Sequence, residues 1–130
     1  MIKTKKKIPF GFVLEDLIPL DPFTRPMFGC HAVYIGEKIM LILRERPEHE
    51  DDNGVWVATS HEHHESLKKE IPNLRTVNLL NNGQRETAWR LIPLDADDFE
   101  ASVNHVCSLI LKRDPRIGKV PKSRSKNRKS

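Results

Sequence analysis

An unbroken run of five apolar residues at positions 39–43 constrains the fold of this chain more than any other feature. A strand with one wet face alternates apolar and polar residues, so a run without alternation predicts a strand that is covered on both faces. A second apolar segment at 32–35 precedes it, and Gly36 between the two can adopt the positive φ of a tight turn. We therefore predict a hairpin at the centre of a sheet, which the rest of the chain covers or extends.

The remaining segments predict three more strands and three helices. The strands are expected at 55–59, 76–80 and 87–92, with Asn82-Gly83 as a strong hairpin dipeptide between the last two. The helices are expected near 13–20, 60–71 and 96–113. The resulting order is α-β-β-β-α-β-β-α. Because hairpin-type links dominate, we predict an α+β fold with a single, mainly antiparallel five-stranded sheet and helices packed on it.

The last helix has the clearest apolar stripe. Its apolar residues recur at i, i+4, i+7 and i+11, namely Phe99, Val103, Val106 and Ile110. Asp95 is the expected N-cap of this helix, and Thr59 with Glu62 matches a capping box at the start of the second helix. These signals predict where both helices begin and which face of the last helix is buried.

Charge is segregated along the chain. Residues 1–7 carry four Lys and no acid, residues 8–111 have a net charge of −8, and residues 112–130 have a net charge of +8. The final residues also contain too few apolar side chains to offset the entropy of ordering. We predict a basic flexible N-terminus at 1–8, a folded domain at 9–117 and a disordered basic tail at 118–130.

The same sequence indicates a cytoplasmic protein without a membrane anchor. No apolar run reaches the roughly 18 residues that a membrane helix requires. The N-terminus is charged like that of a signal peptide, but Pro9, Gly11 and Glu15 interrupt its expected apolar region. Cys30 and Cys107 are expected to be buried free thiols, which suits a reducing compartment.

A histidine-rich segment, His61-Glu-His-His-Glu65, is the most conspicuous candidate for a metal site. On a helix, His61, His64 and Glu65 share one face at a spacing typical of metal ligands. The zincin pattern is absent, because it needs His at i and i+4. A metal site also needs further ligands and supporting hydrogen bonds, so the favoured interpretation is a solvated first helical turn. We predict no metal and no cofactor, at His61, His63, His64 or elsewhere.

The other polar and aromatic candidates have structural explanations that we favour. Arg25 and Arg90 flank or lie in predicted strands, where they could bind an anion or simply form the polar face of the sheet. Trp56 and Trp89 are expected in the core rather than in a ligand platform. The sequence has no Gly-rich phosphate loop, CxxC motif or nucleophile elbow. We therefore predict a protein that is not an enzyme.

The basic tail is the feature most suited to an external partner. Its candidate nucleic-acid-binding residues are Lys119, Lys122, Arg124, Lys126, Arg128 and Lys129. Each phosphate that such residues neutralise releases counterions, which gives affinity without sequence preference. The alternatives are a tail that only aids solubility and a tail that folds back onto the acidic body. The tail has no aromatic residue, which argues against specific recognition of single strands.

Three segments of the first half occur in the order and spacing of a known family. They are Leu14-Glu-Asp-Leu-Ile-Pro-Leu20, Arg25-Pro-Met-Phe-Gly29 and Ala32-Val-Tyr-Ile-Gly-Glu-Lys-Ile39. This half resembles the N-terminal domain of TfoX-type competence regulators, and Met-Phe-Gly is its most specific piece. Cys30 stands where TfoX-like chains often have a second glycine.

The second half is similar to the related YjbR (MmcQ)-like domains. The matching pieces are Leu67-Lys-Lys-Glu-Ile-Pro72, Leu80-Asn81, Thr87-Ala-Trp89 and Asn104-His-Val-Cys-Ser-Leu-Ile110. A basic, histidine-containing turn is common in such domains where this chain has Asn82-Gly-Gln-Arg-Glu86. Together the two halves cover residues 12–117. The resemblance implies a secretion-chaperone-like fold, no established enzymatic activity, and regulatory or DNA-associated roles.

Two functional hypotheses follow from the sequence. The first is a non-enzymatic cytoplasmic adaptor or regulatory domain of the TfoX/YjbR-like type, which acts through contacts with a protein partner that the sequence does not identify. The second is a weak, sequence-independent nucleic-acid-binding protein whose basic tail supplies the affinity.

Overall fold

A six-stranded antiparallel sheet forms the centre of the computed structural model, which describes residues 8–81 and 86–121. Its strands are β1 (Phe23–Met27), β2 (Cys30–Ile35), β3 (Lys38–Arg44), β4 (Gly54–Val57), β5 (Arg75–Thr76) and β6 (Arg90–Pro93). Their order across the sheet is β1-β2-β3-β4-β6-β5, and every neighbouring pair is antiparallel. The predicted α+β class with a mainly antiparallel sheet is therefore confirmed, and the apolar run at 39–43 lies in β3, between β2 and β4.

Three helices pack against one face of this sheet. They are α1 (Phe12–Asp16), α2 (His64–Glu70) and α3 (Phe99–Leu111), and short 3₁₀ turns occur at Ile18–Leu20, Glu50–Asp52, His61–His63 and Asn78–Leu80. The predicted stripe of α3 faces the sheet, with Val103, Val106 and Ile110 buried and Phe99 packed at the margin of the same cluster. Burial of such side chains stabilises the fold by about 1.5–3 kcal/mol each.

The opposite face of the sheet has its own apolar layer, and no α-helix of the described residues packs on it. Its buried members are Cys30, Ala32, Tyr34, Ile39, Ile42, Trp56, Ala58, Val77 and Leu91. Met27, Leu80 and Trp89 pack against this layer and remain partly exposed. We call this side of the sheet the open face.

The prediction of five strands is wrong, because the described sheet has six. The predicted order of helices and strands lacks the same strand. The missing strand is β1, which the sequence conceals because it contains Pro26. Proline cannot donate a ladder hydrogen bond and argues against a strand, but it is tolerated at a sheet edge, where β1 lies. The observed order of helices and strands along the described chain is α-β-β-β-β-α-β-β-α.

The strand expected at 76–80 is much shorter than predicted. Only Arg75 and Thr76 pair with β6, and the chain then turns at Asn78–Leu80. The buried carboxylate of Asp52 accepts hydrogen bonds from the backbone N–H groups of Asn78 and Leu79, at 3.0 and 2.8 Å. This distant acceptor stabilises a turn where local residues favour a strand. Asn82 and Gly83, the predicted hairpin dipeptide, lie outside the described residues.

Both predicted helix caps are wrong. Neither end shows a side-chain cap hydrogen bond, and the residues before the helical turns are Ser60 and Asp98. The Thr59 hydroxyl instead donates to the carbonyl of Arg116 at 2.7 Å, and Asp98 accepts a hydrogen bond from Asn73. A long-range partner thus takes the Thr59 side chain, which local pattern assigns to capping, and Asp98, which stands before α3 in place of Asp95, also bonds a distant residue.

The segment after α3 crosses from the helical face of the sheet to the open face. Ile117 is buried in the helical layer, and the backbone of Lys119 exchanges two hydrogen bonds with Ile39 at 2.8 and 3.0 Å. Val120 and Pro121 then lie on the open face. The expected disorder from residue 118 onward therefore does not hold at Lys119. Ile8, placed in the flexible N-terminus, packs against the core.

Candidate functional site

An apolar groove runs along β3 on the open face. Its first part has a volume of about 470 Å³ and is lined by Met27, Phe28, Tyr34, Ile39, Ile42, Leu80, Trp89, Lys119, Val120 and Pro121. A second depression of about 560 Å³ adjoins it, and both share Phe28 and Leu80 as lining residues. We call the two together the open-face groove. Each of the two parts has a volume within the range of about 300–1,000 Å³ that is usual for ligand sites.

Phe28 forms one wall of this groove in a strained turn. It and Gly29 connect β1 to β2 as a two-residue loop, and their φ values are +54° and +75°. Two positive φ values are required by a type I′ turn, which strongly prefers Asn-Gly or Asp-Gly. A bulky residue at positive φ is a genuine outlier that costs of the order of 1–3 kcal/mol. Burial of the Phe28 side chain offsets little of this cost in free energy, because the residue is 73% exposed.

Aromatic side chains continue along the groove. Trp89 packs edge-on against the buried Trp56, with ring centroids 6.4 Å apart, and presents its other side to the groove. Tyr34 stacks on Phe23 at 5.4 Å, and the guanidinium of Arg25 lies 5.5 Å from the Tyr34 ring. Trp56 thus belongs to the core as predicted and also forms part of the floor of the second depression, whereas Trp89 is partly exposed at the first part of the groove.

The second depression ends at a buried arginine. Arg44 follows Ile42 by two residues, so it points to the open face, and only 3% of it is exposed. Its Nη1 donates to the His49 carbonyl at 2.9 Å and to Asn53 Oδ1 at 2.7 Å, and its Nη2 donates to the Glu48 carbonyl at 2.9 Å. Arg46 lines the same depression.

Of the predicted nucleic-acid-binding residues, the structure places Lys119 at the groove. The others lie outside the described residues: Lys122, Arg124, Lys126, Arg128 and Lys129. Pro121, the last described residue, also lines the groove. The tail lacks aromatic residues, but the fold brings its first residues to Phe28 and Trp89.

The histidine segment lies away from the groove. The rings of His61 and His64 are 4.9 Å apart, as their shared face predicts, and His64 Nε2 donates to the Ala88 carbonyl at 2.8 Å. Burial lowers the pKa of His64, so its ring is neutral at physiological pH. In the part of the chain that the structure describes, no group of three or more His, Cys, Asp or Glu side chains could hold a metal ion. The absence of a native metal stays a prediction.

The other candidates are engaged in local contacts. Arg90 donates to the Thr87 and Trp89 carbonyls and lies 3.5 Å from the Glu86 carboxylate, and Arg25 lies over the Phe23 and Tyr34 rings. Both cysteines are unpaired and buried. Burial raises the pKa of Cys107 to about 12 and raises that of Cys30, so neither thiol is set up as a nucleophile.

Sequence reasoning did not single out Phe28 and Arg44, the two residues that distinguish the groove. The Phe-Gly pair would have indicated a turn if β1 had been recognised, because Phe28 would then stand where a hairpin wants Asn. No local signal marks Arg44 as buried, since an arginine at the end of an apolar run is normally exposed.

Comparisons with known proteins do not assign this chain to a family. A scan against protein-family models finds no match, and searches of curated proteins and of solved structures also find no match. Within 8–81 and 86–121, no helix is long and apolar enough to cross a membrane.

Proposed function

We propose that this protein is a non-enzymatic adaptor or regulatory domain that binds an apolar segment of a partner protein in the open-face groove. The observation that carries this proposal is Phe28, an exposed aromatic residue held at positive φ in the wall of the groove. Strain of this kind persists where the surrounding structure enforces it, and it concentrates at binding sites. The fold loses stability by having Phe at this position, and a role in recognition accounts for that loss.

The groove has the dimensions and the composition of a peptide site. From residue 39 to residue 43, β3 spans roughly 14 Å at about 3.4 Å per residue, which suits an extended segment of similar length. Phe28 on one side and Trp89 with Leu80 on the other are residue types that dominate binding energy when a partner covers them. Leu79 and Val120, at 41% and 46% exposure, extend the apolar surface at its margins.

Two sequence features support the same proposal. The resemblance to TfoX/YjbR-like domains implies regulatory roles without catalysis, and its most specific piece, Met-Phe-Gly, is the turn that carries Phe28. The two unpaired, buried cysteines suit a reducing compartment such as the cytoplasm.

Nucleic-acid binding is the second candidate, and one observation favours it. Lys119 lines the groove together with Phe28 and Trp89, so one cationic residue and two aromatic side chains belong to the same site. Sequence-independent single-strand binders combine these two elements. The acidic body, at −8 over residues 8–111, opposes such binding.

Replacing Phe28 with Asn tests the proposal, because it separates folding from binding. The Phe28→Asn protein should be more stable by about 1 kcal/mol, since Asn suits the type I′ turn. A displayed library of random peptides, panned on the parent protein, should yield apolar sequences whose affinity falls about tenfold or more in the variant.

Ile18→Asn is the matched control. Ile18 is also an exposed apolar residue, at 65%, but it does not line the groove. This change should leave peptide affinity unaltered. A selection without enriched apolar peptides, or peptides that bind Phe28→Asn as well as the parent, would reject the groove as the docking site.

A further inference from the structure

Arg44 is a buried cation that forms no ion pair with the described acidic residues, although the more distant Glu48 carboxylate interacts with its charge. Its three hydrogen bonds go to two carbonyl oxygens and one amide oxygen, all of them neutral. Within 8–81 and 86–121, no carboxylate lies within 4.0 Å of its guanidinium. The residues outside these ranges contain no Asp or Glu.

The other half-buried arginines contrast with this arrangement. Arg116 contacts the carboxylates of Glu70 and Asp114, and Arg90 lies 3.5 Å from that of Glu86. A buried charge is normally paired, because hydrogen bonds to neutral oxygens satisfy its donors without removing the electrostatic cost of burial. The loop contacts of Arg44 explain its position, whereas none of them brings a carboxylate into contact with its guanidinium.

The positive charge of Arg44 lies at the wall of the groove. Arg44 and Arg46 both line its second depression, where Glu48 is the one acidic side chain among the described lining residues. Glu48 is engaged by Arg46 Nε at 2.5 Å, and Arg46 Nη1 also donates to the Gly29 carbonyl at 3.1 Å. Two cations and one paired anion leave this end of the groove with a net positive charge.

The positive charges of Arg44 and Arg46 also affect the pKa of the neighbouring Cys30 thiol. Burial raises the pKa of Cys30, while the charges of Arg44 and Arg46 oppose that rise. Cys30 lines the depression together with both arginines. A negative group placed there would therefore gain from both cations in a partly desolvated setting, where charge–charge attraction is stronger than in water.

We propose that this end of the groove is a carboxylate subsite, which takes an Asp or Glu side chain that follows the apolar residues of the partner segment. The inference deepens the proposed function and depends on it. Arginine forms strong, charge-assisted hydrogen bonds with a carboxylate, so the subsite would set the register of the bound segment as well as its affinity. Lys119, at the opposite end of the groove, favours a segment with a second acidic residue there.

Calorimetric titration with defined peptides tests the subsite without altering the protein. The probe is Ac-Phe-Thr-Leu-Thr-Leu-Thr-Glu-NH2, in which the side-chain carboxylate is the one negative charge and lies on the same face as the apolar residues. The comparison peptide has Gln for Glu, and both are repeated in reversed sequence because either chain direction can place the acid near Arg44. We expect about tenfold tighter binding of the Glu peptide in one direction, and this preference should shrink at raised ionic strength.

Three variants test which residues cause the preference for the Glu peptide over the Gln peptide. Arg46→Gln should reduce the ratio of Glu to Gln affinity, and Arg44→Met should abolish it. Lys69→Gln, an exposed cation of α2 on the helical side, should leave the ratio unchanged. If Arg44→Met does not fold, the parent protein and Arg46→Gln still decide the question.

The outcomes separate this inference from the proposed function. Equal binding of the Glu and Gln peptides, or a ratio that Arg46→Gln and Arg44→Met leave intact, overturns the carboxylate subsite and keeps the groove. Binding of neither peptide in either direction overturns both. Tighter binding of single-stranded nucleic acid than of the Glu peptide, lost in Phe28→Asn, would assign the groove to the phosphate backbone instead.

Discussion

Single residues decide where neighbouring strands can approach closely, and among the described glycines Gly54 leaves the least space for a side chain. It begins β4 at φ +139° opposite Pro93, and a Cβ atom added there would lie 2.1 Å from the Ile92 carbonyl oxygen and 2.9 Å from the Leu94 nitrogen. Both obstacles are backbone atoms of the adjacent strand, which cannot move aside as a flexible side chain can. Only glycine therefore allows β4 and β6 to pair at this point.

Gly54→Ala should lower the free energy of unfolding by about 3 kcal/mol or more, because it combines a steric overlap with a strained φ. Urea denaturation followed by circular dichroism measures the change. Gly11→Ala is the control, since a Cβ there meets no atom within 4 Å. A Gly54→Ala protein as stable as Gly11→Ala would show that β4 and β6 are not packed as described.

At the scale of elements, one polar cluster joins two helices to the C-terminal segment. Arg116 Nη2 lies 2.8 Å from Glu70 Oε2 of α2 and 2.7 Å from Asp114 Oδ2. His105 Nε2 of α3 lies 2.8 Å from Glu70 Oε1. The hydrogen bond from His105, followed by that from Arg116, lowers the pKa of Glu70, and Arg116 lowers that of Asp114. The cluster thus anchors the C-terminal segment to α2 and α3, and this segment places Lys119 at the groove.

These pKa shifts predict how stability depends on pH. A carboxyl group with a lowered pKa in the folded state stabilises the fold above its unfolded pKa, about 4.3 for Glu and 3.9 for Asp, and this contribution is lost as pH falls further. Arg116→Met should remove about 1–2 kcal/mol at neutral pH, after allowance for partial exposure, and should make the acid loss of stability shallower.

Thermal unfolding at a series of pH values measures both effects. Lys112→Met, which removes an exposed cation from the end of α3, is the control and should keep the pH profile of the parent. An Arg116→Met profile parallel to that of the parent would contradict a stabilising role for the cluster.

At the scale of the whole molecule, charge decides what the basic tail can bind. Residues 112–130 carry +8 and residues 8–111 carry −8, so the tail attracts either a phosphate backbone or the body itself. The first tail residues have a structural role, because Lys119 pairs with Ile39 through the backbone. A deletion that tests the tail alone must therefore begin after Pro121.

Deletion of residues 122–130 should abolish nucleic-acid binding and leave the melting temperature unchanged. Binding by the parent should be weak, insensitive to sequence and steeply dependent on salt, because it rests on counterion release. Fluorescence anisotropy with an arbitrary duplex at two salt concentrations measures it. The matched control keeps the length and replaces Lys122, Arg124, Lys126, Arg128 and Lys129 with Gln, and it should behave like the deletion. Affinity that survives both changes would place a nucleic-acid site on the folded body.

Local pattern alone was enough to predict the centre of the sheet and the buried face of α3. The apolar run at 39–43 and the spacing of Val103, Val106 and Ile110 each depend on neighbours within a few residues, and the periodicity of a strand or helix reports such neighbours directly. For the same reason the adjacency of the His61 and His64 rings followed from their spacing.

The tertiary structure decided the features that depend on residues far apart in the chain. Pro26 is compatible with a strand only because β1 lies at an edge, and the turn at Asn78 forms because the Asp52 carboxylate reaches it. The burial of Arg44 without an ion pair to a described carboxylate, and the placement of Lys119 beside Ile39 at the groove, are likewise set by packing. The open-face groove arises from such contacts. Sequence periodicity does not predict them, because it indicates only which face of each element is apolar.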